Sequence, residues 1–364
     1  MNKKKKPNYK RRRTIAKIVI VLLILLPIVL INLNKIKNLT IYIPNMKYSK
    51  VIDSLFDADF TKEEVSDTLE YLKSKNKIND KTSEYIYALK EKGYKKNTII
   101  FLIKNLNKTK MTEFLAQKYN KDYDEYIEND LFDYSKLDRY LAYQKEHKKL
   151  SIDEIVYRVE LNLDKDFYDD AVTIKNPDDV TVLTNKYLQI PENYEPSDLV
   201  DMADDYANNY YGQVRLRKEA YEAFVKMCDA SRKENINFYA ESGYRDFEDQ
   251  EITYNNYVYD NGQETADKYA AKPGFSEHEL GLAIDLANIW TITEKGEEYA
   301  WLDKNAHKYG FIIRYKKQWE EVTGYAAESW HIRYIGVETA TKVHEKNMSY
   351  EEYYIKYMAN KKNK

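Results

Sequence analysis

Glycine divides this chain in two. Nine of its ten glycines fall between Gly212 and Gly336, and only Gly93 lies earlier. Glycine supplies positive φ at turns and lets backbones approach closely, but it weakens helix interiors. A stretch nearly free of it suits helices joined by short polar turns. A stretch dotted with it suits strands and tight turns. Residues 40–175 are of the first kind, rich in Lys, Asp, Glu, Tyr and Leu. "TKEE" from Thr61 and "SIDE" from Ser151 are capping boxes. Asp80, Asn97 and Asp133 stand as further N-cap candidates before apolar-periodic runs. The pattern predicts about six short helices in an all-α module without a fixed-period repeat.

Around residues 176–200 the composition shifts to Pro, Asn and Asp, and the domain boundary is placed there. Beyond it the element types alternate. Residues 215–235 read as an amphipathic helix, "INFYAESGYR" as a strand entering a turn, and 246–259 and 263–271 as helices. "GLAIDLAN" reads as a strand, and "EEYAWLDKNAHKYG" as a helix closed by Gly310. "FIIRY" and "HIRYIG" read as two more strands. Mixed order with few βαβ units predicts an α+β domain over 176–345. Residues 346–364 follow as a C-terminal helix and basic tail.

Charge is distributed unevenly. The net charge is −2, yet residues 1–17 hold nine Lys or Arg and no acid, so the remainder is acidic. An acidic body is a poor partner for nucleic acid, which demands a basic face. After the basic tail, 1–14, comes "IVIVLLILLPIVLI". With its flanks, 15–33, it approaches the ~20 residues of a membrane-spanning helix. No small-residue cleavage pattern follows in "NLNKIKN", which favours an uncleaved signal-anchor over a signal peptide. The basic cluster places the N-terminus in the cytoplasm and the body outside the membrane. Cys228 is the single cysteine, so no intrachain disulfide and no Cys-rich zinc site can form. Its helical spacing with Ala220, Phe224 and Met227 predicts core packing.

The chemistry concentrates in "SEHELGLAIDLAN", residues 276–288. Ser276 and Glu279 form a capping box with His278 inside the turn, and Gly281 then frees the backbone to enter "LAIDLA". That strand carries Asp285 between Ile284 and Leu286. A buried ionised carboxylate is costly unless it is paired or bound to metal. In "ESWHIRYIG", Glu328 and His331 sit where a turn enters another strand. Two histidines and a carboxylate are a usual ligand set for catalytic zinc, with a nearby non-ligating Glu as general base. The helical His-Glu-x-x-His pattern is absent: His344 and Glu345 are followed by Met348. His147, His307 and His344 have no such neighbours and read as surface or core residues. Arg245, in "SGYRDFEDQ", leaves a strand on a glycine turn, where a guanidinium can grip a carboxylate or a developing oxyanion.

"SGYRDFEDQ", "PGFSEHELGLAIDLAN" and "TGYAAESWHIRYIG" together resemble the signature segments of the VanY-type D-alanyl-D-alanine carboxypeptidases, zinc peptidases of the M15 class. The similarity runs over about residues 180–345 and takes in "LRKEAYEAF" and "NAHKYGFIIRY". The resemblance implies a Hedgehog/D,D-peptidase type of fold, a small antiparallel sheet with helices. It implies Zn²⁺ ligands at His278, Asp285 and His331, Glu328 as the catalytic base, and Arg245 stabilising the tetrahedral intermediate. Gln250, Ser276 and Tyr315 match positions lining the D-Ala pocket in related L,D-carboxypeptidases. The substrate implied is the peptidoglycan stem peptide, trimmed of D-Ala outside a bacterial membrane. Cutting D-Ala–D-Ala is the leading expectation, with L,D cleavage of tetrapeptides second and a non-catalytic wall-binding protein third. A serine peptidase is excluded by motif: the one Ser-x-x-Lys, at Ser74, has no Lys-Thr-Gly partner. A Ser276–His278–Asp285 triad would leave Glu328 and His331 idle.

Overall fold

The computed structural model describes residues 38–287 and 292–359. The apolar segment 15–33 lies outside them; among the described residues no helix is long and apolar enough to cross a membrane. The chain divides into two compact units, Met1–Phe132 and Asp133–Lys364. This division falls earlier than the composition change near residue 176.

The first unit is helical. Its elements are the one-turn α1 (Leu39–Tyr42), α2 (Ser49–Asp57), α3 (Lys62–Ser74), α4 (Thr82–Lys92), α5 (Lys96–Asn105), α6 (Lys108–Ala116) and α7 (Asp122–Glu128). Ile52 and Leu55 of α2, Leu72 of α3 and Ile86 and Leu89 of α4 are buried and form the apolar stripes expected of packed amphipathic helices. Thr61 makes the full capping box ahead of α3. Asp80 and Asn97 do not cap. The Asn79 carboxamide accepts from Lys81 N–H, so the turn starts one residue before Asp80. Asn97 sits inside the first turn of α5.

The second unit opens with α8 (Leu137–Glu146) and α9 (Ile152–Glu160). Ser151 caps α9, whereas Asp133 caps only the short 3₁₀ turn Tyr134–Lys136. Two helices therefore join the six of α2–α7, against the six expected over 40–175. Tyr157 of α9 donates to Glu352, and Arg158 pairs with Glu321 at 2.6 Å. These long-range ties place α8 and α9 with the α+β part. Two small pairings follow: parallel β1 (Val172–Thr173) with β2 (Leu188–Gln189), and antiparallel β3 (Leu199–Asp201) with β4 (Arg215–Arg217). Then come α10 (Lys218–Arg232), β5 (Ala240–Ser242), α11 (Phe247–Asn261), α12 (Gln263–Tyr269), β6 (Ala283–Leu286), α13 (Glu297–Asn305), β7 (Phe311–Tyr315), the one-turn α14 (Glu320–Thr323), β8 (Glu328–Tyr334), α15 (Val337–Lys346) and α16 (Tyr350–Tyr353).

The main sheet is antiparallel, in the order β5-β6-β8-β7. In the β6–β8 ladder Ile284 faces Ile332 and Asp285 faces His331. Side chains alternate across a strand. Ile284, Leu286, Ile332 and Ile313 therefore enter a core with Phe224, Met227 and Cys228 of α10, while Asp285 and His331 share the opposite face. The unit is of the α+β class that the element order predicts, with the small antiparallel sheet that the resemblance implies.

Candidate metal centre

The Ser276–Glu279 capping box folds "EHEL" into a 3₁₀ turn, Glu277–Leu280, which Gly281 ends in the left-handed conformation. His278 is buried in that turn. Its Nδ1 lies 2.7 Å from the Gly243 carbonyl oxygen, so Nδ1 carries the proton and Nε2 is left facing Asp285 Oδ2 at 3.1 Å. Across the ladder His331 Nδ1 lies 2.9 Å from Asp285 Oδ1, and its Nε2 lies 3.3 Å from Glu277 Oε2. The two imidazoles meet edge to face, centroids 5.2 Å apart.

One donor atom from each of His278, Asp285 and His331 lies within 4.8 Å of the others. A tetrahedral ion with bonds of about 2.1 Å holds its donors roughly 3.4 Å apart, so this cluster needs only small shifts to enclose one. Each histidine has its second nitrogen anchored, one on a backbone carbonyl and one on a carboxylate, which is how ligating histidines are oriented. The electrostatics favour a cation. Burial opposes ionisation of Asp285, but the two histidines overcome it and hold the carboxyl well below its usual range. Burial also opposes a charged His331, yet the hydrogen bonds to Asp285 and Glu277 raise it to about 10. Burial lowers His278. The donor set of two imidazoles and a carboxylate fits zinc.

Glu328 begins β8, opposite Tyr315 in the β7–β8 ladder. Its Oε2 is 3.7 Å from His331 Nδ1, beyond hydrogen-bond reach. Burial raises its carboxyl to about 8, against the pull of His331, and a carboxyl held near neutrality can both accept and donate a proton. Arg245 follows β5. Its Nη1 donates to Gln250 Oε1 at 2.7 Å and its Nη2 to Ser242 at 3.0 Å. Gln250 in turn donates to the Ala271 carbonyl. The Ser276 hydroxyl accepts from His278 N–H, and the Tyr315 ring lies 5.0 Å from the His331 ring.

Arg245, Gln250, Ser276, His278, Asp285, Tyr315, Glu328 and His331 all line one cavity of about 410 Å³, with Tyr257, Tyr269 and Trp330 beside them. His307 and His344 stack on each other at 3.8 Å and take no part. Glu277, which the sequence analysis does not single out, stands beside the donor cluster with its Oε2 3.3 Å from His331 Nε2. Its Oε1 accepts from Arg314 Nε at 2.8 Å and Arg333 Nη1 at 3.0 Å. Burial opposes its ionisation, but the two guanidinium groups pull the carboxyl far down. The signal was available: Arg314 and Arg333 are charges embedded in the apolar strands "FIIRY" and "HIRYI", and each needed an acid.

The second unit is similar to known proteins. The VanY family model, described as D-alanyl-D-alanine carboxypeptidase, matches residues 213–337. A putative carboxypeptidase of Bacillus subtilis, YodJ, is 38% identical over 210 residues, 54% of this chain and 77% of the relative. A D-alanyl-D-alanine carboxypeptidase of Enterococcus faecium is 35% identical over 178 residues, 47% of this chain and 56% of that protein. Among solved structures, the LdcB LD-carboxypeptidase is 37% identical, with 51% of this chain and 90% of that one covered and a TM-score of 0.48. A Zn(II) complex of the D,D-pentapeptidase VanY from a VanB-type resistance cassette is 30% identical, with 48% and 98% covered and a TM-score of 0.42. The fold and donor set define a zinc metallopeptidase of α+β class. The chain belongs to the VanY family of carboxypeptidases, and zinc is its cofactor.

Proposed function

We propose that this protein removes the terminal D-alanine from peptidoglycan stem peptides, with His278, Asp285 and His331 as the residues that would hold zinc. The observation carrying this reading is the meeting of that donor cluster with Glu328 and Arg245 in one cavity. Zinc, when bound, supplies a Lewis acid that acidifies water toward a pKa of ~7 and polarises a carbonyl. Glu328 takes the proton from the attacking water and returns it to the leaving amine as the C–N bond breaks. Arg245, anchored by Gln250 and Ser242, stabilises the negative charge developing on the peptide oxygen. Glu328→Gln should keep zinc and lose most turnover, whereas Asp285→Asn should lose zinc. Near-normal kcat in Glu328→Gln would mean that another group is the base.

D-Ala–D-Ala is the bond we assign first, in line with the family's name. The L,D reading is the second, favoured by the size of the cavity. A volume of about 410 Å³ bordered by Tyr257 and Tyr269 exceeds what two alanines need and leaves room for a long side chain before the cut. Pentapeptide and tetrapeptide muropeptides offered separately decide between them: tetrapeptide-to-tripeptide conversion without pentapeptide trimming overturns the first assignment. Residues 15–33 support anchoring to a bacterial membrane with the catalytic unit outside. A protease added to intact protoplasts should remove that unit, and full protection would reverse the orientation.

A further inference from the structure

The charge network around Glu277 does not end at the two arginines. Arg314 spends its Nε on Glu277 and turns both remaining nitrogens to Glu351: Nη1 to Oε2 at 2.9 Å and Nη2 to Oε1 at 2.6 Å. Glu351 lies in α16, beyond the stretch 213–337 that matches the family model. The side chains of Glu277, Arg314, Arg333 and Glu351 are 1%, 0%, 0% and 4% exposed. A continuous line of buried ionic contacts therefore runs from the C-terminal segment to a metal-site histidine: Glu351, Arg314, Glu277, His331. Two carboxylates face two guanidinium groups, so the network is balanced only while Glu351 is present. Arg333 has its other donors fixed on the Val180, Val182 and Tyr334 carbonyls, and so cannot swing to replace Arg314. The α16 turn is itself secured by the Ser349–Glu352 capping box and by Tyr350, whose hydroxyl donates to the Thr181 carbonyl at 2.5 Å.

We propose that Glu351 is a positioning residue of the zinc centre: it fixes the Arg314 guanidinium, which holds the Glu277 carboxylate against His331. The proposal rests on the zinc carboxypeptidase reading above. Two physical effects act in the same direction. Without Glu351 the Arg314 fork loses its two-pronged partner, and Glu277 loses a rigid neighbour. A buried positive charge is also left uncompensated a few contacts from a cation site, where the low dielectric screens it poorly. Loss of an outer partner of a ligating histidine typically weakens metal binding on the order of 10- to 100-fold.

The test is zinc affinity, measured on the full chain in detergent by competition with a chromophoric chelator, alongside thermal melting. Glu351→Gln, nearly isosteric and uncharged, should raise the zinc Kd on the order of tenfold or more. Its kcat should recover at saturating zinc. Glu351→Asp, which keeps the charge, should recover much of the affinity. Tyr350→Phe removes a neighbouring contact of the same turn; it should lower the melting temperature and leave zinc affinity alone. Should Glu351→Gln fail to fold, Glu351→Asp and Arg314→Lys decide. Arg314→Lys keeps a charge but cannot bridge both carboxylates, and should bind zinc more weakly than Glu351→Asp. Wild-type zinc affinity in Glu351→Gln, or equal losses in Tyr350→Phe and Glu351→Gln, overturns the proposal. With Arg314→Lys deciding, affinity no lower than in Glu351→Asp overturns it too. A parent protein that binds no zinc would instead overturn the functional reading itself.

Discussion

Arg245 and Gln250 show how one residue's role depends on another's. Gln250 is buried, and both ends of its carboxamide are used: Oε1 accepts from Arg245, and Nε2 donates to the Ala271 carbonyl. A carboxamide so engaged has little left for a substrate, so its effect on catalysis runs through Arg245. Removing Arg245 should cost ~2–4 kcal/mol in kcat/KM, as for a lost oxyanion donor. Gln250→Leu leaves the guanidinium on Ser242 alone and should cost less, about 1–2 kcal/mol. In the Arg245→Ala background, Gln250→Leu should cost almost nothing further, because residues acting as a unit are not additive. Additive losses in a double-mutant cycle would mean that Gln250 touches substrate directly.

At the scale of elements, the site depends on how closely strands and turns approach. The Gly243 carbonyl holds His278, and an added Cβ on Gly243 would stand 2.3 Å from the Arg215 carbonyl oxygen at the start of β4. Gly243→Ala must push the β5 exit away from β4, and the carbonyl moves with it. Both stability and zinc retention should fall, stability by about 1–3 kcal/mol. Gly262, with φ of +76 and nothing within 4 Å of its Cβ direction, provides the contrast. Alanine there strains only the backbone, in a region open essentially to glycine alone, and should cost on the order of 1–3 kcal/mol of stability with zinc retention unchanged. Equal zinc loss in both variants would remove the carbonyl from the account. The same scale explains what the sequence revealed. Asp285 was legible because a carboxylate inside "LAIDLA" demands a partner, and His278 because a capping box and Gly281 bracket it. The pairings β1–β2 and β3–β4 were not legible, since two or three residues carry no period. Nor was the place of α9, which follows from contacts with Glu321 and Glu352, nearly two hundred residues away in the second case. The embedded Arg314 and Arg333 signalled a need for acids, but that Glu277 serves both was hidden for a related reason: they converge on it only through the β7–β8 register, which pairs Ile312 with Arg333.

The stability of the whole molecule carries the imprint of one buried cation. Lys186 is 1% exposed. Its ammonium lies 4.4 Å from the ring centres of both Phe167 and Tyr325, and it donates to the Asp267 carbonyl. Among the described residues no carboxylate forms an ion pair with it. Tyr325 lines the same cavity as the candidate zinc ligands, and a Cβ on the preceding Gly324 would collide with the Phe167 ring at 2.6 Å. The Lys186 cluster thus seats the loop leading to Glu328. Ring faces and a carbonyl offset only part of the lost hydration. Burial lowers the Lys186 pKa from 10.5 to about 8, with Asp267 opposing the shift. Between these values the unfolded chain binds more protons than the folded one, so this group makes stability rise with pH. Below pH 8 the folded protein carries the full penalty of a charged, buried amine, on the order of a few kcal/mol. Above pH 10.5 the penalty is gone. Lys186→Met fills the same space without a charge. Its stability advantage over the parent should therefore be greatest at pH 7 and shrink steadily toward pH 10, as measured by denaturant unfolding at each pH. An advantage that stayed flat across that range would mean that Lys186 keeps its ordinary pKa, with the aromatic rings and the carbonyl compensating its burial in full.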